Sequence, residues 1–393
     1  FYLPLKGASF DGEKFINQAF EKGAIGAFCT GDNGTLQVKD TLTAYLQLAN
    51  YRRKKLNFTV VAITGSSGKT TTKELAASVL SEKFRTFKTP LNHNNEIGFC
   101  QTIFEAPDDT EILVLEMGMR GLGEIELLSK YAEPDITIIS NVGTAHIGRL
   151  GSRENIAKAK CEIVKYQRGN IFIAHDDELI KKTVQFSGKK IFYSIKDVKI
   201  LEKDTHYSKF EYYGNIYELN VGGDYNIENA LSAINTGLAL RMKVNEIQSG
   251  LKKYAPIEKR WEAVNAGGFE IINDSYNANP ESMRAFIDTI FELYEKPVVI
   301  LGDMGELGED EIKYHSELGK YINSHKNLRQ DAEILSIGKL SKYITDGVTN
   351  CPAKHFETIE QAVDYIKNKD TKVQLFLKAS RSMKFERIIE ELK

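Results

Sequence analysis

The sequence predicts an α/β protein in three parts: a small N-terminal α/β domain, a central domain whose mostly parallel sheet has helices on both faces, and a C-terminal doubly wound α/β domain. Its 393 residues are enough for two or three domains with separate cores. From Phe58 to Ala174, continuous apolar segments alternate with helical segments, which is typical of buried parallel strands. A second such series begins near Trp261. The predicted domains are residues 1–57, 58–254 and 255–393.

Composition excludes several classes of protein. The formal net charge is -2 and there is no basic block, so we expect no nucleic-acid or anionic-membrane partner. No apolar run is long enough for membrane insertion, and a cytoplasmic protein is expected. The cysteines are isolated in sequence, which argues against disulfides and a zinc site. They are Cys29, Cys100, Cys161 and Cys351.

The first 57 residues predict a small mixed α/β unit. The chain starts at Phe1 and resembles the interior of a domain, so an incomplete N-terminal domain is expected. The predicted elements are a strand at Leu3–Leu5, a helix near Glu13–Lys22, a strand at Ile25–Cys29 and a helix at Thr41–Lys55.

A glycine- and serine-rich turn between a strand and a helix predicts a P-loop-type phosphate site. The β-branched strand Thr59–Ile63 leads into the turn, and a helix follows Lys69. Backbone N–H groups and the positive end of a helix dipole attract phosphate, Lys69 would reach the β/γ-phosphates, and the Thr70 hydroxyl would bind Mg²⁺. The loop is shorter than the general P-loop, which has a glycine where Ile63 stands. The candidate nucleotide-binding residues here are Gly65, Ser66, Ser67, Gly68, Lys69, Thr70 and Thr71.

The rest of the central domain is predicted to alternate strands and helices, and then to form short strands that pair with one another. Short Tyr- and Phe-rich segments between residues 189 and 220, with a turn at 213–215, predict a small antiparallel patch. Predicted strands are Ile112–Glu116, Ile136–Ser140 and Ile171–Ala174. Predicted helices start near Leu122 and Arg153, span Tyr225–Arg241, and end near Tyr254.

Polar residues follow several of these strands, and ligands bind at the carboxyl ends of parallel strands. Glu116 and His146 are therefore candidate metal ligands, with an exposed glutamate and a structural histidine as the alternatives. The run from Asn92 to Gly98 predicts either a turn or amide contacts to a substrate. By its residues alone, Lys160 is an exposed helix lysine.

The third domain repeats this arrangement. Asn273–Pro280 and Gly302–Gly308 each follow a strand, which predicts a binding face there. Asp274 and Asn279 have turn and helix-cap roles as alternatives. The predicted strands are Phe269–Asn273, Val298–Leu301, Glu333–Ile337 and Val373–Leu377.

Together these motifs resemble the Mur ligase family, the ATP-dependent amide ligases of peptidoglycan precursor synthesis. The resemblance extends from Leu5 to Arg381, and the short loop Thr64–Thr70 is the family's own variant. Asp274–Met283 and Gly302–Gly308 resemble the family member that adds D-alanyl-D-alanine. The resemblance implies a monomer that uses ATP and Mg²⁺, with UDP-N-acetylmuramoyl-tripeptide and D-Ala-D-Ala as small-molecule substrates.

The resemblance also implies residue roles. Lys69 and Thr70 would hold phosphates and Mg²⁺, and Lys160 would be carbamylated to become a third metal ligand beside Glu116 and His146. Those catalytic and metal residues are Lys69, Thr70, Glu116, His146 and Lys160. Further nucleotide contacts would be Asn95, Asn226, Asn229, Arg260 and Asp274. Substrate contacts would be Lys6, Gly7, Asp11, Asn277, Asn279, Ser380 and Arg381.

Three departures from the family pattern affect its substrate side. Glu13 stands where histidine is usual, Ala379 stands where glycine is usual, and a Ser/Thr-x-Asp-Ser-Arg element is absent before Leu5. The alternatives to this hypothesis are a sibling ligase such as folylpolyglutamate synthase, a non-catalytic nucleotide-binding module and a small-molecule P-loop kinase. The sequence leaves open whether the tripeptide ends in lysine or diaminopimelate.

Overall fold

The computed structural model describes residues 1–7, 9–90, 93–257, 259–370 and 373–393. Asn92, which begins the predicted polar run, lies outside these ranges. Within them, none of the helices combines the length and apolar character that crossing a bilayer requires.

The N-terminal part contains little regular structure. A 3₁₀ turn at Gly12–Phe15 leads into helix α1 (Ile16–Glu21), and strands β1 (Phe28–Cys29) and β2 (Leu36–Gln37) pair in parallel. Helix α2 (Thr41–Leu56) agrees with its predicted position.

The predicted strand at Leu3–Leu5 is wrong. Pro4 lacks the N–H that a ladder needs, and the isolated bridges lie on either side of this segment, Tyr2 with Ala27 and Lys6 with Asp11. The predicted strand at Ile25–Cys29 is reduced to the two residues of β1, so the described residues of this part form no extended sheet.

The central sheet has six parallel strands, as its continuous apolar segments predict. They lie side by side in the order β4-β5-β3-β6-β7-β8. Their bounds are β3 (Thr59–Thr64), β4 (Thr86–Lys88), β5 (Ile112–Glu116), β6 (Ile136–Ile139), β7 (Ile171–His175) and β8 (Lys189–Tyr193).

The prediction that β8 belongs to an antiparallel patch is wrong. Helix α8 (Glu178–Thr183) lies between β7 and β8 and provides the crossover that a parallel pair requires, and Ile171 pairs with Lys189. The antiparallel patch itself is confirmed in β9 (Lys199–Lys203), β10 (Ser208–Tyr212) and β11 (Asn215–Leu219). Tyr213 and Gly214 adopt positive φ in the predicted hairpin turn.

Helices cover both faces of the central sheet. Val61 and Ile63 pack with α3 and α9 in one hydrophobic cluster, whereas Val60 and Ala62 pack with α2, α4, α5 and α7 in another. The helices are α3 (Lys69–Leu80), α4 (Glu96–Glu105), α5 (Glu124–Ala132), α6 (Ile147–Leu150), α7 (Arg153–Cys161), α8 (Glu178–Thr183), α9 (Asp224–Ala239) and α10 (Val244–Lys253).

A second six-stranded sheet confirms the predicted doubly wound part. Its order is β12-β13-β17-β14-β15-β16, with only β12 antiparallel to its neighbour. Its strands are β12 (Glu262–Ala266), β13 (Phe269–Asn273), β14 (Val298–Gly302), β15 (Glu333–Ile337), β16 (Ala353–Phe356) and β17 (Leu375–Lys378). Its helices are α11 (Pro280–Leu293), α12 (Glu311–Asn323), α13 (Lys342–Thr345), α14 (Ile359–Lys367) and α15 (Glu386–Leu392).

One face of this second sheet joins the core of the first. Residues of α11 and α12 belong to the same hydrophobic cluster as α3 and α9, and α14 and α15 cover the opposite face. Trp261 lies edge-on to Tyr225 and to Phe286, 5.7 Å from each ring centre. The boundaries near residues 57 and 255 stay a prediction.

A buried histidine holds the Gly302–Gly308 segment. His315 accepts a hydrogen bond from the Met304 N–H through Nε2 (2.9 Å), and its Nδ1 lies 2.7 Å from the Glu311 carbonyl oxygen. This network places the proton on Nδ1. Burial lowers the pKa of His315, so the ring is neutral in the folded protein.

We predict that acid weakens folding through His315. Above its ordinary pKa of 6.5 the ring is neutral in both states, but below it the unfolded chain takes up the proton first. The free energy of unfolding should therefore fall as the pH drops below that value, by at most about 1 kcal/mol in the first pH unit. Urea unfolding followed by fluorescence of Trp261 should show a shallower pH slope for His315→Gln than for the parent. Equal slopes would contradict the assignment.

Candidate active site

A cavity of about 710 Å³ lies where the carboxyl ends of strands from the two large sheets face each other. Most of the predicted site residues line it, although they are far apart in sequence. They are Ser66, Ser67, Gly68, Lys69, Thr70, Thr71, Asn95, Glu116, His146, Asn226, Asn229, Arg260, Asp274, Asn277 and Asn279.

The phosphate loop joins β3 to α3 through a tight turn. Gly68 has φ of +75°, and a Cβ there would lie 2.4 Å from Asn229 Oδ1, so only glycine suits the position. Lys69 folds back and donates from Nζ to the Gly65 carbonyl oxygen at 2.9 Å. Burial lowers the pKa of Lys69, although the charge of Glu116 opposes that shift.

The loop is held from outside by the segment after β6. Asn141 Oδ1 accepts hydrogen bonds from the backbone N–H groups of Ser66 (3.0 Å) and Ser67 (2.9 Å), and its Nδ2 donates to Ser67 Oγ. Ser140 Oγ donates to the Ser67 carbonyl oxygen at 2.6 Å. Sequence reasoning missed Asn141, because its role depends on a contact between distant segments.

The first turn of α3 provides the amides for an anion. The backbone N–H groups of Lys69, Thr70 and Thr71 have no acceptor among the described residues, whereas Thr72 N–H bonds to the Gly68 carbonyl oxygen. Open amides at the start of a twelve-residue helix, beside Lys69, suit the oxygens of a phosphate.

Glu116 ends β5 inside this cavity. The residue is 4% exposed, and its Oε1 accepts a hydrogen bond from Asn94 Nδ2 at 3.0 Å. Its Oε2 is buried without a hydrogen-bond partner in the described structure. The described ranges hold no ready-made group of three His, Cys, Asp or Glu ligands. One open carboxylate oxygen, in a cavity that Thr70 also lines, fits Mg²⁺, which commonly keeps waters and takes its other ligands from phosphates.

His146 faces the C-terminal part. Its Nδ1 lies 2.6 Å from Glu306 Oε2, and both residues have positive φ, 66° and 62°. The hydrogen bond to His146 lowers the pKa of Glu306. Nearby, Gly148 lies so close to Gly308 that a Cβ would be 2.6 Å from the Gly308 nitrogen. The metal role of His146 stays a prediction, and what the structure places against its Nδ1 is a carboxylate.

Lys160 is buried, so the interpretation of it as an exposed helix lysine is wrong. It is 1% exposed on α7, and its amine has no hydrogen-bond or ion-pair partner among the described residues. Burial, followed by the positive charge of Lys69, holds the pKa of Lys160 well below its usual range. A neutral amine at this position is a nucleophile.

The two predicted adenine contacts lie on α9. Asn226 is 3% exposed and donates from Nδ2 to the Gly222 carbonyl oxygen at 2.7 Å. Asn229 Oδ1 accepts from the Thr72 hydroxyl at 3.2 Å. Asn229 therefore supports the phosphate loop, and adenine binding by either residue stays a prediction.

Residues of the second sheet complete the cavity. Asp274 pairs with Lys378 at 2.5 Å, a buried lysine that sequence reasoning missed although it ends the apolar strand β17. Arg260 lies over the Tyr276 ring at 4.0 Å. Asn279 caps α11 by accepting from the Ser282 N–H, which agrees with the helix-cap alternative.

Some predicted site residues lie outside the cavity lining. Lys6 and Asp11 form an ion pair at 3.3 Å in the N-terminal part, close in sequence to Gly7. Ser380 Oγ accepts from the Gly305 N–H at 2.8 Å. Arg381 pairs with Glu386 at 2.9 Å. These contacts organise the neighbouring loops.

Comparisons with known proteins agree with this geometry. The Mur ligase middle domain model matches residues 63–237, and the model described as Mur ligase, glutamate ligase domain matches residues 259–381. The UDP-N-acetylmuramoyl-tripeptide--D-alanyl-D-alanine ligase of Bacillus subtilis is 37% identical over 100% of this chain and 90% of its own length.

Solved structures show the same likeness. A MurF structure from Acinetobacter baumannii superimposes with a TM-score of 0.89 at 29% identity, covering 99% of this chain and 89% of that chain. MurF ligase from Thermotoga maritima, in complex with ADP, gives a TM-score of 0.87 at 28% identity, covering 99% and 93%. The resemblance inferred from the motifs is therefore confirmed.

We predict that Asn141→Asp weakens nucleotide binding while the fold survives. Aspartate still accepts the two loop N–H bonds, but it adds a negative charge near the phosphates. Two like charges about 8 Å apart repel by ~2 kcal/mol at an effective dielectric of ~20. Titration calorimetry should show ADP affinity reduced at least ~10-fold. Asn265→Asp, at an exposed position on β12, is the matched control and should bind like the parent. Unchanged affinity in Asn141→Asp would refute the placement of the phosphates close to Asn141.

Proposed function

Because the chain belongs to the Mur ligase family, we propose that it is the ATP-dependent ligase that joins D-alanyl-D-alanine to UDP-N-acetylmuramoyl-tripeptide in peptidoglycan precursor synthesis. One observation carries the proposal: the phosphate loop and Glu116 share a single cavity with the Asp274–Asn279 segment of the second sheet. The relatives named above, one of them in complex with ADP, support the reaction and its nucleotide.

The reaction proceeds in two transfers. The terminal carboxylate of the tripeptide attacks the γ-phosphorus of ATP, the bond to ADP breaks, and an acyl phosphate forms. The amine of D-Ala-D-Ala then attacks the acyl carbon, phosphate leaves and the nitrogen loses a proton. Phosphorylation is needed because a free carboxylate has no good leaving group.

This chain's residues stabilise the charge on the transferring phosphoryl group. Lys69 leaves the Gly65 carbonyl oxygen for the β/γ-phosphates, and the amides of the first α3 turn bind phosphate oxygens. Thr70 and Glu116 would hold Mg²⁺, which neutralises charge on the phosphates when bound. Arg260 and Asp274 approach the same nucleotide from the second sheet.

Lys160 is carbamylated in the working enzyme. Its amine attacks CO₂, a nitrogen–carbon bond forms and one proton is released, which turns a buried amine into a carboxylate-like anion. A neutral amine is required, and burial beside Lys69 lowers the pKa of Lys160, which favours that form. The carbamate would then be able to hold Mg²⁺ together with Glu116, with His146 as a further candidate.

The remaining assignments concern the substrates. The acceptor lies against Asn277 and Asn279, with Ser380 and Arg381 at the adjacent loop, and the donor nucleotide contacts Lys6, Gly7 and Asp11. A monomeric state and a cytoplasmic location also stay predictions.

The acceptor prediction tests the function directly. With saturating tripeptide donor, D-Ala-D-Ala should support ADP release, while single D-Ala, L-Lys and glutamate should be at least ~10²-fold poorer. If buried polar groups of the site pair with the distal carboxylate of the dipeptide, an acceptor that lacks this carboxylate leaves those groups without a partner, which is costly. Steady-state ADP release measures each acceptor in turn. Equal use of a single amino acid would overturn the choice of acceptor and leave the ligase chemistry standing.

The modification of Lys160 can be observed directly. In the presence of ¹³C-bicarbonate, the protein should show a carbamate carbon resonance that Lys160→Ala lacks, and that variant should be nearly inactive. Lys158→Ala is the matched control, because Lys158 is an exposed lysine on the same helix, α7. A carbamate signal that survives in Lys160→Ala would contradict the assignment.

A further inference from the structure

Three long cationic side chains among the described residues are each only 1% exposed: Arg53, Lys73 and Lys160. Arg53 donates to the carbonyl oxygens of Ala132 and Glu133 and so caps the end of α5. Lys160 already has a role in the proposed reaction. Lys73 has none, although burying a lysine is costly unless its charge is compensated.

Lys73 lies one helical turn after Lys69 on α3 and reaches the edge of the site. Its Nζ donates to the Thr89 carbonyl oxygen at 2.8 Å and pairs with Glu74 Oε1 at 3.2 Å. The same nitrogen lies 3.9 Å from Glu116 Oε2. That distance gives electrostatic attraction without a hydrogen bond, so Oε2 keeps its lone pairs open.

Thr89 connects Lys73 to Glu116 by a second route. The Thr89 hydroxyl accepts a hydrogen bond from the Glu116 N–H at 3.0 Å, and the Thr89 N–H donates to the Val114 carbonyl oxygen at 2.9 Å. Lys73 therefore fixes both the backbone and the carboxylate of Glu116.

We propose that Lys73 is a positioning residue of the metal site, which holds Glu116 so that Oε2 faces the bound cation. Without Lys73, the carboxylates of Glu74 and Glu116 would be neighbours with no cation between them, and their repulsion would turn Glu116 away. Glu74 would keep its other partner, Lys88, but Glu116 has no other ion-pair partner in the described structure. The inference rests on the proposed function only in naming Mg²⁺ and a nucleotide as the ligands.

The test is Lys73→Met in the full chain, which keeps the length of the side chain and removes its charge. ADP binding by titration calorimetry with EDTA should stay within about 3-fold of the parent. In the Mg²⁺ series, the Mg²⁺ concentration that half-maximally enhances ADP binding should rise at least 10-fold. Lys73→Arg should recover part of the loss because it restores the charge.

Lys88→Met is the matched control. Lys88 is half exposed and belongs to the same charge network through Glu74, but it does not contact Glu116. This variant should keep the parent's Mg²⁺ dependence.

Several outcomes would overturn the proposal. If Lys73→Met has the same Mg²⁺ dependence as the parent, Glu116 does not need Lys73 to hold its position. If the variant needs less Mg²⁺ than the parent, the main effect of Lys73 is to repel the metal. Loss of ADP binding in EDTA would assign Lys73 to the phosphate loop instead. If ADP binding by the parent is independent of Mg²⁺, the premise that Glu116 helps to bind Mg²⁺ beside the nucleotide is wrong, and the inference fails with it. Failure of the proposed function is distinguishable, since it appears as a parent that binds ADP with Mg²⁺ but does not ligate.

Discussion

Charged side chains with little access to water govern this site. Lys69, Lys73 and Lys160 lie around the start of α3, and Glu116 is the buried carboxylate beside them. Bringing these amines together out of water is unfavourable, and two features offset it: Lys73 pairs with carboxylates, and burial lowers the pKa of Lys160, which disfavours its charged form. Lys69 and the open helix amides favour an anion at the start of α3. Phosphate binding would thus give these buried donors the partner that the described structure lacks.

The same electrostatics explain why the site needs two sheets. The first sheet alone supplies the phosphate loop and Glu116, but the groups facing them come from beyond Trp261. His146 meets Glu306, and the Thr144 hydroxyl donates to Glu281 at 2.8 Å. The shared hydrophobic cluster positions the two carboxyl edges so that these polar contacts form across the cavity.

Sequence reasoning succeeded where local pattern decides structure. Continuous apolar strands such as Ile112–Glu116 are buried on both faces, so their residues alone identify them. The edge strands β12 and β16 were not predicted because they are partly exposed and lack such a run. The direction of β8 depends on its partner β7, which composition does not encode.

The candidate site divides in the same way. Residues of the loop and of the strand ends were found from motif and position, because parallel strands bring their carboxyl ends together. The burial of Lys160 could not be predicted from motif or position, because alternating alanine and lysine residues are compatible with either a buried or an exposed helix face. Asn141, Lys73 and Lys378 were missed for a related reason: each acts through partners distant in sequence, and only the packed structure shows which partner each one meets.

The shortened loop shows how such distant contacts become necessary. Only Ser66 and Ser67 separate Gly65 from Gly68, so the turn is too short to wrap several amides around a phosphate as the general P-loop does. Their N–H groups turn outward to Asn141, which keeps them from being left unpaired. The amides left open for a phosphate are those of the first turn of α3, where the dipole and the N–H groups point the same way. In a loop this short, hydrogen bonds from the segment after β6 take the place of internal support, and Asn141 provides them.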